Sequence, residues 1–464
     1  MLRAVVLAGG ITALIAGCAP GPDYVRPDLG LPDAYLTQTD ADLGQAERLW
    51  WRGFQDPTLS QLIEEAFSAN LSLAAAQARF DAAREGITSA KSDFFPTVDG
   101  SVTGQIRGEF DGPDGKNAQA GFGGALPLDT NGRLRRSLEQ ARALSERSGF
   151  DVLDARRLIA AGVAANYVEL QRSRARLALL DFSLNLQNQT LDIVKARRRA
   201  GLAAALDVER AASDLARTRA QRGLLEVGEA RAHFALALLL GKAPQEALVP
   251  FGDPKETPQV PQYKMAAQSG VPADLLRKRP DVLAAEADLM AASAAIGIQQ
   301  ADLLPSLRIP GSLTANRGDN GFAFFSGAAA LISATIDVPL IDAGRRRAEV
   351  RAARANARAA VASYELAVLS SIQDVELALV SVDALQARQD DLAAAVAASE
   401  AAFEQLNALY KEGLATFIDI LDAQRSLIAS REAFVDVEAA LATAYVDLYA
   451  ATGAPTQLVE AAAR

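Results

Sequence analysis

Residues 339–345, Pro339-Leu340-Ile341-Asp342-Ala343-Gly344-Arg345, stand between two periodicities. Before them, from Ala328 to Leu340, the residues Ala330, Ile332, Ala334, Ile336 and Val338 alternate with Ser333, Thr335 and Asp337. A period of two places successive side chains on opposite faces, so this stretch predicts a strand that is apolar on one side. After them no proline occurs until Pro455. Proline inside a helix costs about 3 kcal/mol, so the window can hold one uninterrupted helix. Gly344 to Lys411 is 68 residues, which at about 1.5 Å per residue reaches on the order of 100 Å. No compact globular domain needs a helix of that length. Gly413-Leu414-Ala415 then supplies a helix-stopping glycine, after which a second helix returns.

The same plan occurs earlier in the chain. Pro127-Leu128 followed by Gly132-Arg133 precedes another proline-free window that lasts to Pro244, and Gly132 to Arg199 is again 68 residues. Gly201-Leu202-Ala203 with Asp207-Val208 matches Gly413-Leu414-Ala415 with Asp419-Ile420, and both correspondences share one offset of 212. Asp93-Phe94-Phe95-Pro96 returns as Asp302-Leu303-Leu304-Pro305. So long a period indicates duplication of a whole structural half rather than a solenoid. Each half therefore contains a helical hairpin with its turn at the glycine. Towards those turns a coiled-coil seam is written in steps of four and three: Leu392, Val396, Ser399, Phe403, Leu406 and Tyr410, with Leu180, Leu184, Gln187, Leu191, Val194 and Arg198 in the first half.

Each half also carries two strands, near 97–108 and 119–127 in the first and near 306–316 and 328–340 in the second. Val98, Val102 and Ile106 mark the first, and Leu307, Ile309, Gly311, Leu313 and Ala315 alternate with polar residues in the third. Segments of about ten residues with one apolar side fit the tilted strands of an outer-membrane barrel. Four strands cannot close a lipid-exposed barrel, whose smallest form has about eight. The chain must then oligomerise to span a membrane.

The N-terminus points to export. Arg3 precedes an apolar run from Ala4 to Ala16, too short to span a bilayer and shaped like a secretory signal. It ends Leu14-Ile15-Ala16-Gly17-Cys18, which resembles the bacterial lipobox, so Cys18 is the expected lipidation site. Each buried acyl methylene contributes about 0.8 kcal/mol to membrane anchoring. Cys18 is the only cysteine, which excludes an intramolecular disulfide. Together with the strand polarity, this favours a membrane barrel over a soluble four-stranded sheet.

Composition narrows the function further. Lys+Arg 47 against Asp+Glu 57 gives a net charge of −10, with no basic tail, which argues against nucleic acid as a partner. The single histidine, His233, sits among Ala232, Phe234 and Leu236 and reads as a packed side chain. No glycine-rich phosphate loop, histidine pair or nucleophile with a base is present. Neither an enzyme, nor a cofactor, nor a metal site is expected. The expected division is a signal at 1–17, an anchored leader at 18–57, a first repeat at 58–253, a linker at 254–272, a second repeat at 273–456 and a tail at 457–464.

Several runs resemble the outer-membrane factors, the TolC-like proteins, and specifically their NodT-type lipoprotein branch. They are Gly21-Pro22-Asp23-Tyr24 with Arg26-Pro27, and Trp50-Trp51 with Phe54, Asp56-Pro57 and Leu59. Arg279-Pro280-Asp281-Val282, Ala301-Asp302-Leu303-Leu304-Pro305-Ser306 and the opening run 339–345 complete the set. One position departs: Ala343 stands where the branch more usually has a second glycine. The resemblance implies a trimer whose twelve strands close a barrel and whose helices continue as an α-helical tunnel. It implies an outer-membrane duct for small molecules, served by a periplasmic adaptor and an inner-membrane pump of the resistance-nodulation-division type.

The resemblance also assigns roles at the hairpin tips. Asp419 and Asp422, three apart and so on one helix face, match aspartates of a periplasmic constriction that favours cations. Asp207 matches another tip aspartate, and Tyr410 the tyrosine that hydrogen-bonds it to hold the tunnel closed. The family's arginine beside the second tip is absent, with Ala415 in its place. Gly201, Leu202, Ala203, Gly413, Leu414 and Ala415 resemble the contact with the adaptor. The plainer reading is that all three aspartates are first-turn acids that complement a helix dipole. Two alternatives remain at this point: the duct of a type I protein-secretion system, and a periplasmic coiled-coil adaptor or scaffold.

Overall fold

A computed structural model of the chain describes residues 20–27, 46–107, 115–245, 258–264, 279–317 and 327–453. Cys18, the signal, the tail and parts of the leader and linker lie outside these residues. The chain divides into two compact units: Met1–Gly30, Gln77–Asp151 and Leu283–Ala367 form one, and Leu31–Ala76, Val152–Val282 and Val368–Arg464 the other. After a 3-10 helix at Ala46–Phe54, eight α-helices are described: α1 Pro57–Ala69, α2 Leu71–Ser92, α3 Arg133–Arg199, α4 Ala205–Ala220, α5 Arg222–Leu239, α6 Pro280–Ala301, α7 Arg345–Glu412 and α8 Phe417–Thr452. The two long windows are single helices of 67 and 68 residues, α3 and α7. None of the described helices is long and apolar enough to cross a membrane.

The first unit contains the sheet. β1 (Thr97–Arg107), β2 (Gly115–Leu128) and β3 (Ser306–Arg317) are consecutive antiparallel neighbours. The fourth path is broken, contrary to the single strand expected over 328–340. β4 (Gly327–Ile332) and β5 (Thr335–Asp337) both pair with β3 and stop short of Val338. The break faces Pro310 of β3. The Ser333 amide donates to the Pro310 carbonyl at 3.1 Å, but proline has no N–H to return, so the ladder lapses there. Val98, Val102, Phe122, Leu313, Leu331, Ile332 and Ile336 are all exposed on this sheet.

Local chemistry explains the helix starts that follow the strands. Asp129 Oδ1 accepts from the Leu134 amide at 2.9 Å, and Asp342 accepts from the amides of Gly344 (3.0 Å) and Arg346 (3.2 Å). Ala343 has φ +53°, a left-handed conformation that costs a non-glycine residue about 1–2 kcal/mol. The departure from glycine therefore falls where glycine would relieve strain. The leader is tied to the same unit. Arg26 grips Glu286 through Nε (2.7 Å) and Nη2 (2.6 Å), and the Tyr24 hydroxyl donates to Glu286 at 2.8 Å. Arg136 donates to the carbonyls of Pro20 and Gly21 and to Asp23.

The second unit has two apolar centres. The larger joins Trp50, Trp51 and Phe54 to α1, α3, α5, α7 and α8. Trp50 stacks on Tyr449 with centroids 5.9 Å apart, and Tyr263 stacks on Tyr445 at 4.7 Å. Asp56 caps α1 at the Leu59 amide and accepts from the Tyr167 hydroxyl at 2.8 Å. Arg279 is 3 % exposed; it bonds Asp281, Asp374 and the Ala451 carbonyl. The smaller centre lies at the hairpin ends and holds the candidate site.

Candidate functional site at the hairpin tips

Both hairpins turn in the same way. Gly201 (φ +76°) and Gly413 (φ +81°) adopt the left-handed conformation that ends a helix. The Leu202 amide donates to the Arg197 carbonyl at 2.8 Å, and the Leu414 amide to the Leu409 carbonyl at 2.9 Å. This six-to-one bond satisfies carbonyls that the helix end would otherwise leave unpaired. The turn projects one leucine from each tip: Leu202 is 67 % exposed and Leu414 is 76 % exposed. Ala203 and Ala415 are half-buried, and Ala415 packs onto the smaller apolar centre.

The return helices start on matching aspartates. Asp207 Oδ2 accepts from the Ala204 amide at 3.3 Å. Asp419 Oδ2 accepts from the Thr416 amide (2.9 Å) and hydroxyl (2.5 Å), while the Thr416 hydroxyl accepts from the Asp419 amide at 3.4 Å. This is a capping box. The Thr416 hydroxyl, then the Thr416 amide, hold the Asp419 carboxyl below its ordinary range. Asp422 is exposed, 4.0 Å from Arg425. Asp419 and Asp422 both stand in solvent on the tip of α8, whereas Asp207 is half-buried on α4, 3.9 Å from Arg210.

Tyr410 behaves differently from the expectation. It is 3 % exposed, and its hydroxyl has no hydrogen-bond partner among the described residues. The Tyr410–Asp207 bond is not made, because Asp207 is turned to its own helix start. Tyr410 is instead covered by Arg197, whose guanidinium lies 4.7 Å from the ring centroid and whose Nη1 donates to the Tyr410 carbonyl at 2.8 Å. Burial pushes the Tyr410 hydroxyl above its ordinary value, against the pull of Arg197. The seam frame thus fails in its last step: Arg198 is exposed, and its neighbour Arg197 turns inward. A cation over an aromatic face contributes about 0.5–2 kcal/mol.

A second tie joins the hairpins beyond the tips. Asp214 of α4 is 6 % exposed. Its Oδ1 accepts from Arg425 Nε (2.9 Å) and Nη2 (2.8 Å) of α8, and its Oδ2 from Gln187 Nε2 (3.2 Å) of α3. Gln187 Nε2 also donates to the Thr218 hydroxyl at 2.9 Å. Around this polar set, Leu191, Val194, Val208, Leu215, Phe403, Ile420 and Leu427 bring all four hairpin helices into one apolar cluster. Neither Asp214 nor Arg425 stands out in the sequence, since each is one acid or base among many on an amphipathic helix. The 3.6 period did leave a trace: Asp214 falls in line with the buried positions Ala211 and Leu215.

His233 lies on α5, where burial first and Arg174 second hold its imidazole below the ordinary value. Among the described residues, no group of three or more His, Cys, Asp or Glu could hold a metal.

A model of the family described as outer membrane efflux protein matches residues 62–242 and 271–454, one segment per repeat. The chain is 29% identical over 452 residues to nodulation protein T of Rhizobium leguminosarum bv. viciae, covering 95% of this chain and 91% of that one. It is 27% identical to the cation efflux system protein CusC of Escherichia coli O157:H7, covering 96% and 97%. Among solved structures, the outer-membrane channel OprN superposes with a TM-score of 0.85 at 32% identity, covering 94% of this chain and 99% of that one.

Proposed function

The chain belongs to the outer membrane efflux protein family, and from that premise we propose that it works as a homotrimer whose hairpin tips form a gated acidic constriction. It is an outer-membrane efflux channel that extends into the periplasm, and its family is one of channels, not enzymes. Three copies contribute twelve strand paths, enough to close a barrel in the outer membrane. The exposed apolar residues of the sheet support that reading, since each strand needs a lipid-facing side. Cys18 is the lipid-anchored residue, and outer-membrane lipid is the partner of both anchor and barrel. A periplasmic adaptor binds the tips and an inner-membrane pump of the resistance-nodulation-division type drives transport. Small molecules such as drugs, toxic compounds or metals are the cargo.

The observation that carries the gate is the solvent exposure of Asp419 and Asp422 together on the tip of α8. A threefold axis turns each aspartate into a ring of three, and a ring of carboxylates favours cations. The cap bonds from Thr416 favour the charged form of the Asp419 carboxyl. Leu202 and Leu414 are the anchors offered to the adaptor, because an exposed leucine on a fixed turn loses little entropy on docking.

The test is planar-bilayer conductance of Asp419→Ala with Asp422→Ala. Cation preference is expected to fall and single-channel conductance to rise, with the trimer intact. Unchanged conductance and preference would remove the ring from the mechanism.

A further inference from the structure

The strands of the first unit meet their helices at one level. Antiparallel register sets Thr97 against Ala125, Leu128 against Leu307 and Ser306 against Asp337, so every crossing between strand and helix leaves from the same end of the sheet. Apolar side chains stay exposed across that level. Phe95, Leu303 and Leu304 stand there before the strands, and Leu340 and Ile341 after them, the last two 86 % and 94 % exposed. The leader arrives at the same place. Arg136, in the first turn of α3, donates to the Pro20 and Gly21 carbonyls. A Cβ on Gly21 would stand 2.6 Å from the Cα of Gly297, near the end of α6. Cys18 lies outside the described residues, but two residues span at most about 7 Å. An acylated Cys18 therefore delivers its chains close to this level.

A basic stripe begins just beyond Ile341. On α7, Arg347, Arg351, Arg354 and Arg358 are exposed, and among the described residues none of them makes an ion pair, whereas Arg345 and Arg346 are paired with Glu349 and Asp342. One repeat earlier the same positions are Arg135, Glu139, Arg142 and Glu146, where the charges alternate. Rotation along the helix gives the stripe a direction. The covered positions Arg346, Val350, Ala353, Ala357 and Ala360 lie within about 40° of one line. Measured from that line in one sense, the arginines stand at about 80–140°, and the exposed Ala348, Ala352, Ala355 and Ala359 at about 180–240°. The unit contributes α2, α6 and the first parts of α3 and α7, so three copies make a ring of twelve helices. Neighbours in such a ring lie about 210° apart around the outside of each helix and about 150° apart around the lumen side. With the covered seam on one neighbour and the alanines on the other, the arginines fall in the middle of the outer arc. They face away from the tunnel, beside the membrane.

We propose that Arg347 and Arg351 bind the headgroups of anionic phospholipids in the periplasmic leaflet of the outer membrane, while Leu340 and Ile341 enter its acyl region. This rests on the trimer reading above, which turns the stripe outward. Depth supports the pairing of residue to layer. Arg347 and Arg351 lie about 3 and 9 Å along α7 from its start, and the headgroup layer on each side of a bilayer is about 5–8 Å deep. A guanidinium presents a planar fork of donors that matches a phosphate, and its stem can lie along apolar surface. Arg354 and Arg358 stand beyond that layer and act only through their field. Charge supports the choice of lipid. After Glu349, which is held by Arg345, the next acid on α7 is Glu365, so the stripe has no local counter-charge and favours a headgroup of net negative charge over a zwitterionic one. Each arginine near an anionic surface strengthens the attraction about fivefold.

The test uses the full-length protein in bilayers of phosphatidylethanolamine with a minority of phosphatidylglycerol, followed by native mass spectrometry of the lipids that stay bound. Wild type is expected to retain phosphatidylglycerol well above its bulk share. Arg347→Gln with Arg351→Gln is expected to cut that enrichment at least tenfold, and Arg347→Lys with Arg351→Lys to keep most of it. Arg354→Gln with Arg358→Gln is expected to change it less than threefold. Bound lipid at the bulk ratio in wild type, or equal loss from the two glutamine pairs, overturns the site. Inorganic phosphate is compared with chloride at the same ionic strength. Displacement of the lipid by phosphate alone would mean that the arginines take a free anion, and that too overturns it. A wild-type protein that is not trimeric would instead strike the assembly reading above, so the two failures are distinguishable.

Discussion

Arg425→Ala is expected to raise the resting conductance of the channel severalfold and to weaken the closed tips. Asp214 is nearly buried and depends on the two Arg425 bonds for its charge balance. Removing one member of a buried ion pair costs about 3–5 kcal/mol, because the other charge is left unpaired. Arg425 is itself 46% exposed on its side chain, so water can follow, and the lower end, about 3 kcal/mol, is the better expectation. Every 1.4 kcal/mol is tenfold in an equilibrium, so a closed state held partly by this bond would lose on the order of a hundredfold in population against open ones. A double-mutant cycle with Asp214→Ala decides whether the bond is the tie: the double variant should conduct no more than the worse single variant. Additive effects would mean that the two side chains act independently.

Arg279→Leu is expected to lower stability by about 3 kcal/mol without touching the tips. Its guanidinium bonds Asp281 and Asp374, and it donates to the Ala451 carbonyl near the end of α8. Gly453, at φ +78°, lies so close that a Cβ there would stand 2.5 Å from Arg279 Cγ. The cost falls at the lower end of the range for a broken buried pair, because both aspartates keep some water. The effect depends on pH in a stated direction. Burial alone would push the Asp281 carboxyl up, but the hydrogen bond and charge of Arg279, with Arg157 beyond it, outweigh burial and hold it below the ordinary range. The clamp therefore contributes fully above the unfolded value of about 4 and is lost as pH falls through the lower folded value. Melting curves of wild type and variant should differ most at neutral pH and converge below about pH 4. A gap that persists into strong acid would show that packing, not charge, is what Arg279 supplies.

Much of the fold was legible because it is written at short range. The absence of proline and the flanking glycines placed the long helices within one residue at each end: Arg133–Arg199 against 132–199, and Arg345–Glu412 against 344–411. Period two located the first three strands to within a few residues. It missed the lapse in the fourth, because that lapse is caused by Pro310 on a different strand, which acts only once the two are paired. The runs Arg26-Pro27 and Arg279-Pro280-Asp281 stood out as patterns, but what they hold, Glu286 for one and Asp374 with Ala451 for the other, lies far off in the chain.

The hairpin tips divide along the same line. The turns at Gly201 and Gly413 and the first-turn acids Asp207 and Asp419 could be read from sequence alone, since backbone conformation and helix capping depend on neighbours a few residues away. Whether Arg197 or Arg198 turns inward, whether Tyr410 finds Asp207, and which acid meets Arg425 could not. Those outcomes depend on how two hairpins more than two hundred residues apart rotate against each other, and a rotation of one helical step, about 100°, exchanges one arginine for the next. The sequence by itself determined a duplicated helical hairpin with strands of barrel polarity. Only the tertiary structure decided that Arg197 over Tyr410 and Arg425 on Asp214 tie its two halves together.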